Sequence, residues 1–291
     1  PMRALSLSRA AWLGWGVAFF RGGLKRRGVP ALGVFFLANL FGTFLIAFLV
    51  ALGAVAPPLS INLGWAVMGG VTAVVAMYAL YQGLAEGNMA IVAPISATGV
   101  LLPVIWGIAR GEALSPLQIG GMAAAVVGAL FAAYENGGAS HDREAGHVRR
   151  QLSRSPIAKG AGWAAASAFA VGFYLIFMER ASQADPYWAA FIMRCAYGSA
   201  LYALVAATAT VMAIGRPHYP AIICIGVVDA LAGFAYALAT TKGLLSIVAV
   251  VGAVYPVVTV LLAAMVLGER PQRLQWFGVV LAVVGICLIS A

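Results

Sequence analysis

Ten apolar runs, each close to the length of a membrane span, divide this chain, and mostly short polar stretches separate them. An α-helix rises about 1.5 Å per residue and the hydrocarbon core of a bilayer is about 30 Å thick, so about twenty apolar residues cross it as a helix. The runs fall at about 5–21, 30–54, 62–84, 89–109 and 115–134, then at about 160–178, 186–214, 219–241, 245–267 and 273–290. Lipid offers no partner to a stray backbone group, and the alternating pattern of barrel strands is absent, so every run is expected to be helical. The predicted fold class is an all-α polytopic membrane protein with ten transmembrane helices.

The composition excludes the common alternatives. Hydrophobic residues make up 63% of the 291 and charged residues only 9%, against about 25% charged in a soluble domain. Net charge is +9, but the basic residues sit in short loops, where they read as topology signals and headgroup contacts rather than a nucleic-acid surface. Cys195, Cys224 and Cys287 are embedded in apolar runs without metal-ligand spacing. All three histidines fall in loops, and there is no GxxxxGK loop, nucleophile elbow or metal-binding His/Glu array. No cofactor, metal or enzymatic activity is therefore expected. The opening residues do not read as a cleavable signal peptide, and Pro1, not being an initiator residue, leaves room for an upstream segment.

The two halves of the chain match one another. At an offset of 157, Gly111-Glu112 corresponds to Gly268-Glu269, Leu117-Gln118 to Leu274-Gln275, Gly121 to Gly278, and Ala125-Val126-Val127-Gly128 to Ala282-Val283-Val284-Gly285. Ile91-Val92-Ala93 corresponds to Ile247-Val248-Ala249 at 156, and Tyr78-Ala79-Leu80 to Tyr236-Ala237-Leu238 at 158. Pro30, Phe35 and Gly42 correspond to Pro186, Phe191 and Gly198, again at 156. An offset held within two residues along most of a chain predicts two repeats of five spans, at 1–134 and 160–291, joined by a polar loop at 135–159. Five is odd, so the second repeat must enter the membrane inverted. Inverted repeats are a common plan for secondary transporters, with the solute site near the midplane between them.

The GE-x-x-x-x-LQ-x-x-G…VVG pattern after the fourth span recurs after the ninth. With Trp15-Gly16 and the paired Tyr-Ala-Leu, it resembles the EamA-like family of the drug/metabolite transporter superfamily, over essentially the whole chain. The resemblance implies a ten-helix bundle with a central cavity that exports or exchanges small metabolites, often amino acids. It also implies cytoplasmic termini, whereas the excess of Lys and Arg in the loops after the odd-numbered spans places the termini outside. The first span departs from the family in being short and bearing Arg9. Arg194 departs from its match in the first half, which is Ala38.

Ionisable groups inside a span are costly, which makes them functional candidates. Two lie well inside: Arg194 and Asp229, expected either to couple transport to a proton at Asp229 or to pair with each other. The predicted solute-binding set is Trp15, Tyr78, Tyr81, Gln82, Ser96, Trp163, Tyr174, Tyr236, Thr240 and Tyr255. These are groups that stack on an organic solute and offer it hydrogen bonds. Tyr78 and Gln82, four apart, share one helix face, while Trp12 and Phe169 belong to the same aromatic population of the first and sixth spans. Pro94, Pro103 and Pro256 break spans four and nine, a pointer to the site, and Ser96 and Thr98 flank the first break. Glu112 and Glu269 fall at the membrane edge and are expected to cap helices or anchor loops. Gly69-Gly70, Gly120-Gly121 and Gly278 are expected to permit close helix packing.

These features predict a secondary transporter that moves a small organic solute, amino acids included, by alternating access. The alternative is a flippase of a lipid-linked substrate or a non-transporting accessory subunit. The expected partners are the solute and the bilayer, not nucleic acid. The expected state is a monomer or homodimer in a cell membrane, taken to be a bacterial inner membrane.

Overall fold

The computed structural model of the protein describes residues 4–11, 13–15, 31–53, 56–58, 60–86, 89–133, 154–207, 218–267 and 271–290. Among the described residues every regular element is helical, and nine helical stretches are long and apolar enough to cross a bilayer. With the spans numbered as in the sequence, the second is Ala31–Leu52, the third Gly64–Glu86, the fifth Pro116–Ala133 and the sixth Arg154–Ser182. The seventh is Pro186–Ala207, the eighth Tyr219–Thr240 and the tenth Arg273–Ser290. The first span is helical over 4–11 and 13–15, and Trp12 lies outside the described residues.

One boundary moves. The sixth helix starts at Arg154, inside the stretch predicted as the connecting loop 135–159, although its apolar spanning part still begins at Gly160. Pro156 is the third residue of this helix, and the first turn tolerates proline because the N–H it lacks would have no intrahelical partner there. The remainder of that loop, 135–153, lies outside the described residues.

Spans four and nine are broken beside Pro103 and Pro256, whereas Pro94, also predicted as a break, lies inside the continuous helix Met89–Ala97. Span four runs Met89–Ala97, tightens into a 3-10 turn at Thr98–Val100, and resumes as Leu101–Ala109. Span nine runs Leu245–Ala253 and resumes at Tyr255–Leu267 after Val254. Pro103 is the third residue of its resumed segment and Pro256 the second. Each resumed helix thus begins just upstream of its proline, where the missing N–H is cheapest.

Close backbone approach holds the bundle. A Cβ added at Gly121 would stand 2.8 Å from the Gly285 carbonyl oxygen, and one added at Gly278 would stand 2.6 Å from that of Gly128. Spans five and ten therefore cross antiparallel at van der Waals distance. The 157-residue offset that matches Gly121 to Gly278 and Gly128 to Gly285 also exchanges these two contacts. Spans three and seven meet at Gly70, where a Cβ would lie 2.5 Å from the Met193 carbonyl. Spans two and eight meet where Gly226 lies on the backbone of Ala38. Spans three and six run antiparallel, with the buried Ser167 hydroxyl donating to the Ala76 carbonyl at 2.9 Å. Of the glycines expected to permit packing, Gly70, Gly121 and Gly278 do so, Gly69 makes ordinary contacts, and Gly120 has nothing within 4 Å.

The repeated polar motif is structural. Gln118 caps span five through a reciprocal box with Ser115: the Ser115 N–H donates to Gln118 Oε1 at 3.0 Å, and the Gln118 N–H donates to Ser115 Oγ at 3.2 Å. Gln275 Oε1 likewise accepts the N–H of Gln272, at 2.9 Å, at the head of span ten. Glu112 does cap a helix, but in the other half of the chain. Its carboxylate accepts the N–H of Leu245 at 2.7 Å and of Ser246 at 3.1 Å, and the Ser246 hydroxyl as well, at the start of span nine. Gly111, at φ +86°, makes the turn that carries it. Its sequence match, Glu269, lies outside the described residues.

These contacts separate adjacent glycines. Gly121→Leu should destabilise the bundle by about 1–3 kcal/mol through overpacking, while Gly120→Leu should leave it near wild type. Thermal unfolding of the purified variants measures the difference.

Candidate functional site

The two mid-span charges meet. Arg194 is the ninth residue of span seven and Asp229 the eleventh of span eight. The Arg194 Nη2 donates to Asp229 Oδ2 at 2.8 Å. Arg194 Nη1 donates to Asn39 Oδ1 on span two at 3.3 Å, and Asn39 Nδ2 donates back to the Arg194 carbonyl at 3.2 Å. Two glycines make room for the guanidinium: a Cβ at Gly42 would lie 2.9 Å from Nη1 and one at Gly233 3.7 Å from Nη2. Asn39 is itself buried.

The partners differ in exposure. The Arg194 side chain is 7% accessible and the Asp229 side chain 41%. Asp229 nevertheless lies on the inward face of its helix. Residues three, four and seven positions away on either side, among them Ile222, Ile225, Gly226, Gly233 and Tyr236, are buried, whereas Ile223 and Leu231 are exposed on the opposite face. A half-exposed carboxylate on the buried face of a mid-span helix turn opens onto space inside the bundle, not onto lipid.

Tyr174 of span six and Tyr197 of span seven lie within electrostatic reach of both charges, and Tyr81 of span three lies within reach of Tyr197. Tyr81 meets Phe35 edge-on at 5.3 Å between ring centroids, and the Tyr197 hydroxyl contacts Met77 Sδ at 3.1 Å. All three tyrosines are only partly buried.

The other predicted residues fall into separate groups. Gln82 Nε2 donates to the Tyr78 hydroxyl at 2.8 Å, and Trp163 meets Tyr78 edge-on at 6.1 Å, which forms a small polar-aromatic cluster between spans three and six. Trp15 lies 5.8 Å from the ring of Tyr236, and Gly252, beside the break in span nine, packs on both. Each Tyr-Ala-Leu tyrosine thus packs on a tryptophan from the opening span of the opposite half. Tyr236 is fully enclosed, its hydroxyl 3.4 Å from the Leu175 carbonyl. Thr240 is buried and donates to the Ala237 carbonyl at 2.8 Å. Both are enclosed in this structure. Ser96 points to the Ala164 carbonyl at 3.5 Å, and Thr98 donates to the Ile95 carbonyl at 2.6 Å. Tyr255 opens the second segment of span nine and is partly buried. Pro94 is partly buried, and Pro103 and Pro256 are buried at the breaks.

Two site residues escaped the sequence reading. Asn39 carried a signal, being a polar side chain inside an apolar span and next to Ala38, the match of Arg194. Tyr197 stands three residues after Arg194, so both project toward one side of span seven.

The unequal exposure predicts unequal mutations. Asp229→Ala strands an enclosed guanidinium that cannot lose its proton, at a cost of about 3–5 kcal/mol. Arg194→Met leaves a carboxylate that water still reaches and should cost less, while the double variant should recover stability relative to Asp229→Ala. Melting temperatures of the three variants decide the order.

Comparisons with known proteins agree with this architecture. One solved structure, described only as "Crystal structure of protein", superposes with a TM-score of 0.78 over 99% of this chain and 96% of its own, at 17% identity, a likeness of fold alone. No curated protein matches the sequence. Residues 158–291 match the EamA-like transporter family model. That stretch, a little under half of the chain, is similar to the EamA-like transporter family, consistent with the drug/metabolite transporter superfamily, and the described helices make the protein a multi-pass membrane protein.

Proposed function

We propose that this protein is a secondary carrier that moves a small organic solute, amino acids or related metabolites among them, by alternating access between two inverted five-span repeats at 1–134 and 160–291. The observation that carries the proposal is the half-exposed Asp229 carboxylate at mid-span on the inward face of span eight. Charge inside a span is retained where it lines a watery path or a site. The exchange of the Gly121–Gly285 and Gly128–Gly278 contacts under the sequence offset supports the repeat reading. So does the pairing of Tyr78 with Trp163 and of Tyr236 with Trp15.

On this reading Tyr81 and Tyr174 line the solute site beside Arg194 and Asp229. Tyr78, Gln82 and Trp163 form its approach from one side, and Trp15, with Tyr236 and Thr240 behind it, backs the other. Ser96 and Tyr255 flank the breaks that precede Pro103 and Pro256, where the two segments of each broken span can tilt separately, with Pro94 one turn before the first. Arg194 and Asp229 form the coupling pair, and export or exchange is the direction of transport.

Purified protein in proteoliposomes should catalyse counterflow of at least one labelled solute from an amino-acid panel. Asp229→Asn should remove any pH dependence of that flux. No flux across a broad panel, with a lipid-linked molecule or a protein co-purifying instead, would replace the carrier with a flippase or accessory subunit. PH-dependent flux that survives in Asp229→Asn would remove the proton from the scheme and leave the carrier.

A further inference from the structure

We infer that the mid-span site selects solutes carrying a positively charged amine, which docks on the open side of Asp229; this rests on the carrier reading. The ion pair is neutral overall, but it does not present itself neutrally. Arg194 is wedged between spans two and eight, with Asn39 and Asp229 on its nitrogens and Gly42 and Gly233 against its guanidinium. At 7% exposure it offers almost nothing to a solute. Asp229 spends Oδ2 on Arg194 and is 41% exposed, so the open end of the dipole is its carboxylate. Among the described residues no other acidic side chain lies in the middle of a span.

The neighbours suit the same ligand. Tyr174 and Tyr197 lie within electrostatic reach of the pair. The faces of aromatic rings attract an ammonium at up to about 6 Å from the centroid, and more strongly where water is scarce. A solute carboxylate would meet the open carboxylate of Asp229 and find the arginine already occupied. The site therefore reads the cationic end of its solute and repels an anionic one. A zwitterion would bind only with its amine toward Asp229.

Three probes that differ in one terminal group test this on the wild-type chain: tyramine, 4-ethylphenol and 4-hydroxyphenylacetate, which are a cation, a neutral molecule and an anion near neutral pH. Melting of the purified full chain in detergent would be followed at constant ionic strength. Tyramine should raise Tm in a dose-dependent way, by about 5 °C near a hundredfold excess over Kd, and the other two should raise it far less. Equal shifts from all three, a larger shift from the acid, or none from tyramine would overturn the inference. Asp229→Asn should abolish the tyramine shift and Asp229→Glu should restore it in part. A tyramine shift retained in Asp229→Asn would also overturn it, and where these variants do not fold, the wild-type series decides alone. Counterflow of any solute without a tyramine shift would discard the amine and keep the carrier. Absence of all flux with the tyramine shift present would discard the carrier and keep the amine site.

Discussion

Helices in lipid gain little from burying apolar side chains against one another, because acyl chains are equally apolar. Association then depends on how closely backbones approach. In this protein close seams lie at glycines, on spans five and ten, three and seven, two and eight, and four and six. A methyl group at Gly121, Gly278, Gly70 or Gly226 would enter the neighbour's backbone, so these positions set interhelical distances that no side-chain repacking recovers. At one end of the five–ten seam, Glu112 reaches across the halves to cap span nine, and the Ser246 hydroxyl lies 3.4 Å from the Val104 carbonyl of span four. The broken spans thus face each other under a fixed geometry.

A bundle held this way can enclose a cation. Removing a guanidinium from water costs several kcal/mol, and its partners must return that energy as charge-assisted hydrogen bonds. Arg194 has Asp229 and Asn39 for this, and the glycines beside it bring spans two and eight near enough for both to reach. Asp229 does not suffer the same enclosure, so the pair combines an anchored positive end with an accessible negative one. The packing of small residues and the polarity of the site are one arrangement.

The sequence made the helices legible because each must be long and apolar to cross lipid. Spans two, three, five, eight and ten end within a few residues of where hydropathy puts them. The breaks in spans four and nine were legible from Pro103 and Pro256, which open the resumed helices, although Pro94 is carried inside a continuous helix. The meeting of Arg194 with Asp229 was legible as one of two options, since charges inside spans seek partners. What the sequence could not separate was packing from lining. Tyr236 and Tyr81 read alike as aromatics, yet one is fully enclosed and the other partly open, because that depends on which neighbour a helix turns toward. Glu112 read as a cap, but the helix it caps lies more than 130 residues away in the chain, and no local pattern encodes that distance. The recurrent Gln118 and Gln275 read as marks of the repeat, and they are capping groups.

The charged pair belongs to one half only. At the level of Arg194 span two carries Ala38, and at the level of Asp229 span three carries Val71, Thr72 and Ala73. The pair therefore lies within the C-terminal half, between successive spans, while the hydrogen bonds that tie Arg194 to the N-terminal half are the two of Asn39. A net hydrogen bond contributes about 1 kcal/mol, whereas separating a buried charge from its partner costs about 3–5 kcal/mol. On the carrier reading, a movement of one half against the other can exchange the Asn39 contacts cheaply and cannot afford to part Arg194 from Asp229. The ion pair should then travel intact with its half, and the movement would change which side of the membrane the open carboxylate faces. At the level of the pair the polar link across the halves is thus weaker than the ion pair itself, while the glycine seams carry the close backbone contacts between the halves.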